Sequence, residues 1–178
     1  MDKKRTAKDL ALIGMAAASL TAVKLALSWL ANVELVTLFI VFYTLVLGRN
    51  RTLFACNVFI VVECLIYGFA PWVVSYFIHW NFLVLLTWFL DKKGVKKAII
   101  FALFATGLTV LFGVQTTIIE LLFYSSETSF LQAFGIKYFM GLSFFITHIL
   151  SSFISITLLL PVLRKIPVFQ EKNQNTPV

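Results

Sequence analysis

The sequence predicts an all-α, polytopic membrane protein with six transmembrane helices in one bundle and both termini in the cytoplasm. Of its 178 residues, 60% are hydrophobic and only 13% are charged, and the mean hydropathy is +0.94. A water-soluble domain of this length cannot bury so much apolar surface. Apolar runs of roughly 17 to 25 residues recur along the chain, and each is long enough to cross a hydrocarbon core of about 30 Å as a helix.

Breaks in the hydrophobic pattern give the order of the helices. The first apolar run is too long, and too closely followed by others, to be a cleavable signal peptide. Ala31-Asn32 is a minimal turn before the second run, and Gly68 and Pro71 end the third helix and orient the fourth. The predicted spans are 9–31, 33–48, 52–69, 73–90, 97–119 and 135–161.

Basic residues set the orientation of these spans. With the N-terminus inside, thirteen of the fifteen Lys and Arg residues lie in the two tails or in the turns 48–52 and 91–97, and Lys24 and Lys137 are the exceptions. This distribution follows the positive-inside rule, so both termini are expected in the cytoplasm. It also accounts for the net charge of +7 without a nucleic-acid partner.

Two segments differ in composition from the apolar spans. The outer connection 121–135 mixes aromatic and hydroxyl side chains, which fits a lid, a short interfacial helix or a solvated loop. Residues 169–178 are polar and are predicted to be a disordered cytoplasmic tail. Residues 1–168 are predicted to form a single six-helix domain.

The first span carries small side chains and a cation on different faces. Small residues recur every four positions and form one stripe, Gly14, Ala18, Ala22 and Ala26. Lys24 lies about 200° around the helix from Ala22, at about 100° per residue. If the stripe meets another protein, Lys24 faces the bundle interior. If the stripe packs inside the bundle, Lys24 faces lipid and must extend to the outer surface.

A lysine near the middle of a membrane costs about 2.5–3.5 kcal/mol, which favours an interior, paired position. Snorkelling is the alternative, because Lys24 lies only about 10 Å along the helix from its outer end. Glu34 and Glu63 are the candidate partners. Glu63 is in the middle of VFIVVECLIYG, where water is hard to reach, whereas Glu34 also fits a wetted helix start favoured by the helix dipole.

Most other polar side chains of the spans lie in the outer half. This asymmetry favours a cup open to the outside over a channel, in which polar groups line the whole depth. His148 fits either a ligand contact or a hydrogen bond between helices. Trp80 and Trp88 fit a shared cavity face or lipid packing. The candidate binding residues are Lys24, Glu34, Glu63, Tyr76, Trp80, Asn81, Gln115 and His148.

The sequence contains no pattern that indicates a metal site or a catalytic site. Cys56 and Cys64 lie eight residues apart in one apolar run, which indicates packing rather than a disulfide or a metal site. No CxxC or HxxxH spacing occurs, so no metal is expected. No nucleophile–base pairing is apparent, so the chain is not expected to be an enzyme. It also has no GxxxxGK[ST] phosphate loop.

Six spans, internal termini, this length and the small-residue stripe together resemble the substrate-binding S-components of energy-coupling factor (ECF) transporters, the bacterial vitamin importers. The stretches ANVELVTLFIVFYTLVLGR (31–49) and IYGFAPWVVSYFIHWNFLVLLTWFL (66–90) are similar to segments in one branch of that family. The alanine-rich motif of the family's first helix maps onto Ala18, Ala22 and Ala26, with Gly14 one step earlier.

The resemblance implies location and partners. It implies a multi-pass protein of the bacterial cytoplasmic membrane whose small-residue stripe docks on a membrane-embedded coupling (T) protein. It implies two shared cytoplasmic ATPases that use ATP, no cofactor bound by this chain, and a cycle in which the loaded cup topples across the membrane.

The sequence leaves several ligands and several classes of function open. Ring chemistry and the resemblance favour a hydroxymethylpyrimidine or a B6-type pyridine as ligand, and pantothenate and cobalamin stay open. The other classes are a self-sufficient secondary carrier or channel, a membrane-embedded enzyme and a purely structural bundle.

Overall fold

The computed structural model describes residues 3–30, 33–124 and 128–166. Within these ranges the chain forms six α-helices and no strand. The helices are α1 (Lys3–Ala26), α2 (Val36–Leu47), α3 (Arg49–Tyr67), α4 (Pro71–Lys92), α5 (Ala98–Phe123) and α6 (Phe130–Leu163). Five of them, all except α2, are long and apolar enough to cross a membrane. The predicted class, a multi-pass all-helical membrane protein, is confirmed.

The second helix is shorter than the predicted span 33–48. It has 12 residues, or about 18 Å of helix, whereas about 20 residues are needed to cross a bilayer. Residues 33–35 precede it in a non-helical conformation. They are held by α6, because the Glu34 N–H donates to Ser151 Oγ (2.9 Å) and the Ser151 hydroxyl donates to the Glu34 carbonyl (2.8 Å). This tether replaces the first turn of a longer helix.

Helix α2 nevertheless lies at the centre of the bundle. It contacts α1, α3, α4 and α6, and eight of its twelve residues are buried. Helix α1 packs on α3 and α2, and α5 packs on α4 and α6. Fully buried side chains such as Leu20, Ile40 and Phe59 join these helices in one core.

The turn between α3 and α4 has the geometry that the sequence indicates. Gly68 follows α3 with a φ of +83°, a left-handed conformation that glycine adopts without strain. Pro71 is the first residue of α4, where its missing N–H costs no helical hydrogen bond. The break predicted at GFAPW therefore separates two helices. The predicted turn Ala31-Asn32 and the predicted tail 169–178 lie outside the described residues.

The outer connection 121–135 is mostly helical. Helix α5 continues to Phe123 and α6 begins at Phe130, so both helices extend beyond their predicted ends. Only residues 124–129 lie between the two helices, and residues 125–127 of this segment are not described. The prediction of a lid, an interfacial helix or a loop therefore applies to this short segment alone.

The α5–α6 pair is closely packed around one phenyl ring. A Cβ atom added to Gly113 would lie 3.0 Å from Phe145 Cγ, and one added to Gly141 would lie 2.9 Å from the same ring. Gly113 on α5 lets that helix approach the Phe145 ring of α6, and Gly141, one turn before Phe145 on α6 itself, leaves room for the same ring.

Candidate functional site

A cavity of about 490 Å³ lies where the end of α1, the start of α2 and parts of α3 to α6 meet. Its volume falls within the range of about 300–1,000 Å³ that is usual for small-molecule sites. The titratable side chains Lys24, Glu34 and His148 reach it from different parts of the chain, and Ser28 adds a hydroxyl. Its aromatic walls consist of Phe59, Tyr67, Trp72, Tyr76, Trp80 and Phe112.

Lys24 faces the bundle interior and binds Glu63. Its ammonium group forms a salt bridge with the Glu63 carboxylate on α3, and the Glu63 side chain is fully buried. The ammonium also donates a hydrogen bond to the Tyr76 hydroxyl at 3.3 Å. Of the two predicted carboxylate partners, Glu63 is therefore the one in contact. The alternative prediction, in which the Lys24 side chain extends through lipid to the outer surface, is not what the structure shows.

Aromatic rings complete the environment of the Lys24 ammonium. The nitrogen lies 4.7 Å from the ring centre of Tyr76, 5.3 Å from that of Trp72 and 5.4 Å from that of Tyr67. These separations are within the roughly 6 Å over which a ring face attracts a cation. A carboxylate, a phenol and several ring faces thus offset the cost of placing this cation inside the bundle.

Glu34 ties the start of α2 to α6. Its Oε2 accepts the backbone N–H of Thr37 (3.0 Å), as a helix cap does, and its Oε1 accepts the Thr37 hydroxyl. The same Oε1 contacts the Ser152 hydroxyl at 3.0 Å and His148 Nε2 at 3.1 Å. Glu34 is thus both a helix-start residue and an interior carboxylate. His148 both bonds a neighbouring element and lines the cavity.

Helix α4 supplies a row of three aromatic side chains to the cavity. Trp72, Tyr76 and Trp80 are four residues apart, and successive ring centres are 5.0 and 5.8 Å apart. Trp80 is 3% exposed. Phe112 on α5 lies against this row, with its ring centre 6.0 Å from that of Tyr76. The row gives a flat ligand ring faces and edges to pack against.

This row is clearer in the structure than in the sequence interpretation. Trp72, the second residue of α4, lines the cavity although the sequence does not single it out as a binding residue. Trp88 was a candidate for the same face as Trp80, but it lies beside the Arg49 guanidinium, 4.6 Å from its ring centre, near the other end of α4. The four-residue spacing of Trp72, Tyr76 and Trp80 was the available signal. No comparable signal marked Phe59, Tyr67 or Phe112.

Three of the predicted binding residues do not line the cavity. Asn81 and Asn57 exchange side-chain hydrogen bonds at 3.0 and 3.2 Å, which join α4 to α3. Gln115 donates to the Ser75 carbonyl at 2.9 Å and joins α5 to α4. Glu63 does not line the cavity itself, but it binds Lys24, which does. The other five, Lys24, Glu34, Tyr76, Trp80 and His148, lie together on its walls.

The small-residue stripe of α1 lies on the outside of the bundle. Gly14, Ala18, Ala22 and Ala26 are all exposed, and no atom lies within 4 Å of a Cβ built on Gly14. The stripe therefore has no packing partner among the described residues, while Lys24 on the same helix points inwards. This is the arrangement expected if the stripe meets another protein.

The fold and the cavity define the class of protein: a multi-pass helical membrane protein with an aromatic, partly charged cavity of ligand size. Among the described residues, no cluster of three or more His, Cys, Asp or Glu side chains could hold a metal ion. Comparison with protein-family models, curated proteins and solved structures finds no match for this chain.

Proposed function

We propose that this chain is the substrate-binding subunit, or S-component, of an ECF-type vitamin importer of the bacterial cytoplasmic membrane. The observation that carries this proposal is the division of α1 into two faces. Lys24 lines a ligand-sized cavity on one face, and the small-residue stripe is exposed on the other. One helix thus offers a binding site to a ligand and a close-packing surface to a membrane partner.

The size and lining of the cavity favour a compact ring compound. A volume of about 490 Å³ suits a one-ring or two-ring vitamin or precursor, such as a hydroxymethylpyrimidine or a B6-type pyridine. Cobalamin is much larger than this cavity. Pantothenate has no ring to pack against the aromatic row. The pyrimidine and pyridine classes are therefore the preferred substrates.

The proposed topology has six crossings and cytoplasmic termini. Helix α2 and the non-helical residues 33–35 are proposed to make the second crossing together. Non-helical backbone is tolerated at membrane depth where protein surrounds it and satisfies its polar groups. The Ser151 hydroxyl does this for both the N–H and the carbonyl of Glu34. The basic turns and tails support cytoplasmic termini, because basic residues favour the cytoplasmic side.

The energy for transport is assigned to separate subunits. The sequence has no phosphate loop, so two cytoplasmic ATPases are proposed to use ATP and to act through a coupling protein that docks on the stripe of α1. The chain itself is proposed to bind substrate without chemical conversion, cofactor or metal.

Binding and flux by the solitary chain test this proposal. The purified protein is titrated calorimetrically with a panel of vitamins and precursors, and the same preparation is reconstituted in liposomes for uptake of the best ligand. We expect submicromolar binding and no uptake, because delivery needs the partner subunits. Uptake by the chain alone would instead assign a secondary carrier or channel, and absence of saturable binding would remove the proposed function.

A further inference from the structure

The charged groups at the cavity already form a salt bridge or hydrogen bonds within the protein. Lys24 carries the one permanent positive charge among the described lining residues, and it is paired with Glu63. Glu34 is surrounded by donors from Thr37, Ser152 and His148. A charged ligand therefore meets groups whose charges are already paired or hydrogen-bonded.

An anionic ligand could not take the Lys24 charge from Glu63, and at the remaining N–H of the ammonium it would lie close to two carboxylates, Glu63 and Glu34. The Glu63 side chain is fully buried, and its Oε1 has no hydrogen-bond partner among the described residues. Drawing the ammonium towards a ligand phosphate or carboxylate would leave a buried carboxylate with little compensation, which is strongly unfavourable. The pair therefore selects against anions.

A cationic ligand meets a different obstacle. The aromatic faces nearest to a carboxylate already surround the Lys24 ammonium, with Tyr76, Trp72 and Tyr67 all within 5.4 Å. A second cation in the same cavity would be repelled by Lys24. Glu34 leaves a cation only Oε2, because Oε1 already accepts hydrogen bonds from Thr37, Ser152 and His148, and the attraction of this carboxylate is opposed by Lys24.

Neutral hydrogen-bonding capacity remains on both sides. An ammonium has three N–H donors, and Glu63 and Tyr76 account for two of them among the described residues. The third can donate to a ring nitrogen or carbonyl. Glu34 Oε2 accepts the Thr37 N–H and has room for one further donor, such as an amino or hydroxyl group.

We infer that the ligand is an uncharged heteroaromatic ring, free of phosphate and carboxylate, with an acceptor for Lys24 and an amino or hydroxyl donor for Glu34. This inference rests on the proposed binding function and names the chemical class of its substrate. The aromatic row of α4 packs against the ring, and the two polar groups fix its orientation. Phosphorylated and carboxylated forms of the same ring are rejected because Glu63 already offsets the Lys24 charge and because the Glu63 and Glu34 carboxylates would repel an anion at this position.

The test compares ligand charge classes on the purified full-length protein by calorimetry. The uncharged set is 4-amino-5-hydroxymethyl-2-methylpyrimidine, pyridoxine and nicotinamide. The cations are thiamine and 1-methylnicotinamide, and the anions are nicotinate, pantothenate and pyridoxal 5′-phosphate. We expect an uncharged ring to bind most tightly, by at least about 100-fold over the anions, which corresponds to about 2.7 kcal/mol.

The outcomes separate the inference from the proposed function. Tightest binding by a cation or an anion would overturn the inference and leave a binding subunit in place. Absence of saturable binding by every compound would count against both.

A variant at Glu34 tests the proposed donor. We expect Glu34→Gln to weaken binding of the aminopyrimidine about tenfold or more, and to change the binding of its analogue without the amino group much less. Glu120→Gln, at a half-buried carboxylate paired with Lys137 outside the cavity, is the matched control and should leave both ligands unaffected. Equal losses for both ligands in Glu34→Gln would overturn the assignment of the amino group to Glu34.

Discussion

The Lys24 ammonium on α1 and the fully buried Glu63 carboxylate on α3 form a salt bridge beside the cavity. The pair links the helix with the small-residue stripe to the bundle core, and it places one cation at the edge of the ligand site. The pair should therefore affect both the stability of the fold and the binding of ligand, and separate experiments can measure these two effects.

Removing the Lys24 charge should destabilise the fold strongly. We expect Lys24→Met to cost about 3–5 kcal/mol, because it leaves a buried carboxylate uncompensated. The double variant Lys24→Met with Glu63→Leu should recover much of this loss. Thermal unfolding of the purified proteins measures the effect. Lys137→Met is the control, since the Lys137–Glu120 pair is longer, 3.4 Å, and largely solvated; a loss in Lys24→Met no larger than in this control would contradict the account.

The tether between Ser151 and Glu34 should govern the start of α2. Ser151 bonds both the N–H and the carbonyl of Glu34, so Ser151→Ala should raise amide hydrogen exchange at residues 33–37 with little change elsewhere. Ser155→Ala is the matched control, because its hydroxyl bonds a carbonyl of its own helix. Unchanged exchange at 33–37 in Ser151→Ala would show that this tether does not hold the segment.

Close packing of α5 on α6 should make Gly113 intolerant of a methyl group. A Cβ there would lie 3.0 Å from the Phe145 ring, whereas nothing lies within 4 Å of a Cβ on Gly107 of the same helix. We expect Gly113→Ala to cost about 1–3 kcal/mol and Gly107→Ala to be neutral or slightly stabilising. The two melting temperatures, measured side by side, decide this, and equal values would argue against the close approach.

Asn57 and Asn81 should be coupled to each other and not to the ligand. Their two hydrogen bonds lie between α3 and α4, and pairs of this kind in membranes contribute about 0.6–1.7 kcal/mol. A double-mutant cycle with alanine at each position should return a coupling energy in this range. Ligand affinity in Asn81→Ala should stay within about threefold of the parent protein. A large loss of affinity would restore Asn81 to the binding site.

The class of fold was predictable because apolar composition and basic turns act over whole helices. The orientation of Lys24 was predictable as one of two alternatives, because spacing alone places the stripe and the lysine on opposite faces. The helical start of α2 was predicted too early, since Ser151, more than one hundred residues away, binds Glu34 and replaces the first helical turn.

Tertiary packing also decided which polar side chains reach the cavity. Asn81 and Gln115 have the depth of binding residues, but their amides pair with Asn57 and with the Ser75 carbonyl. Tyr67 and Phe112 join the cavity because distant helices bring them there. Such pairings depend on helix rotation and on neighbours far apart in sequence, which one sequence does not specify.

The central claim, that a ligand binds in the cavity beside Lys24, is tested most directly by site-restricted fluorescence. The chain has four tryptophans, of which Trp72 and Trp80 line the cavity. In a variant with Trp29→Phe and Trp88→Phe, emission comes from these two alone. We expect titration with an uncharged heteroaromatic vitamin precursor to change this emission saturably, and to leave the complementary variant, Trp72→Phe with Trp80→Phe, unchanged. A saturable response from the complementary variant alone, or the same response from both, would place the ligand elsewhere and contradict the account.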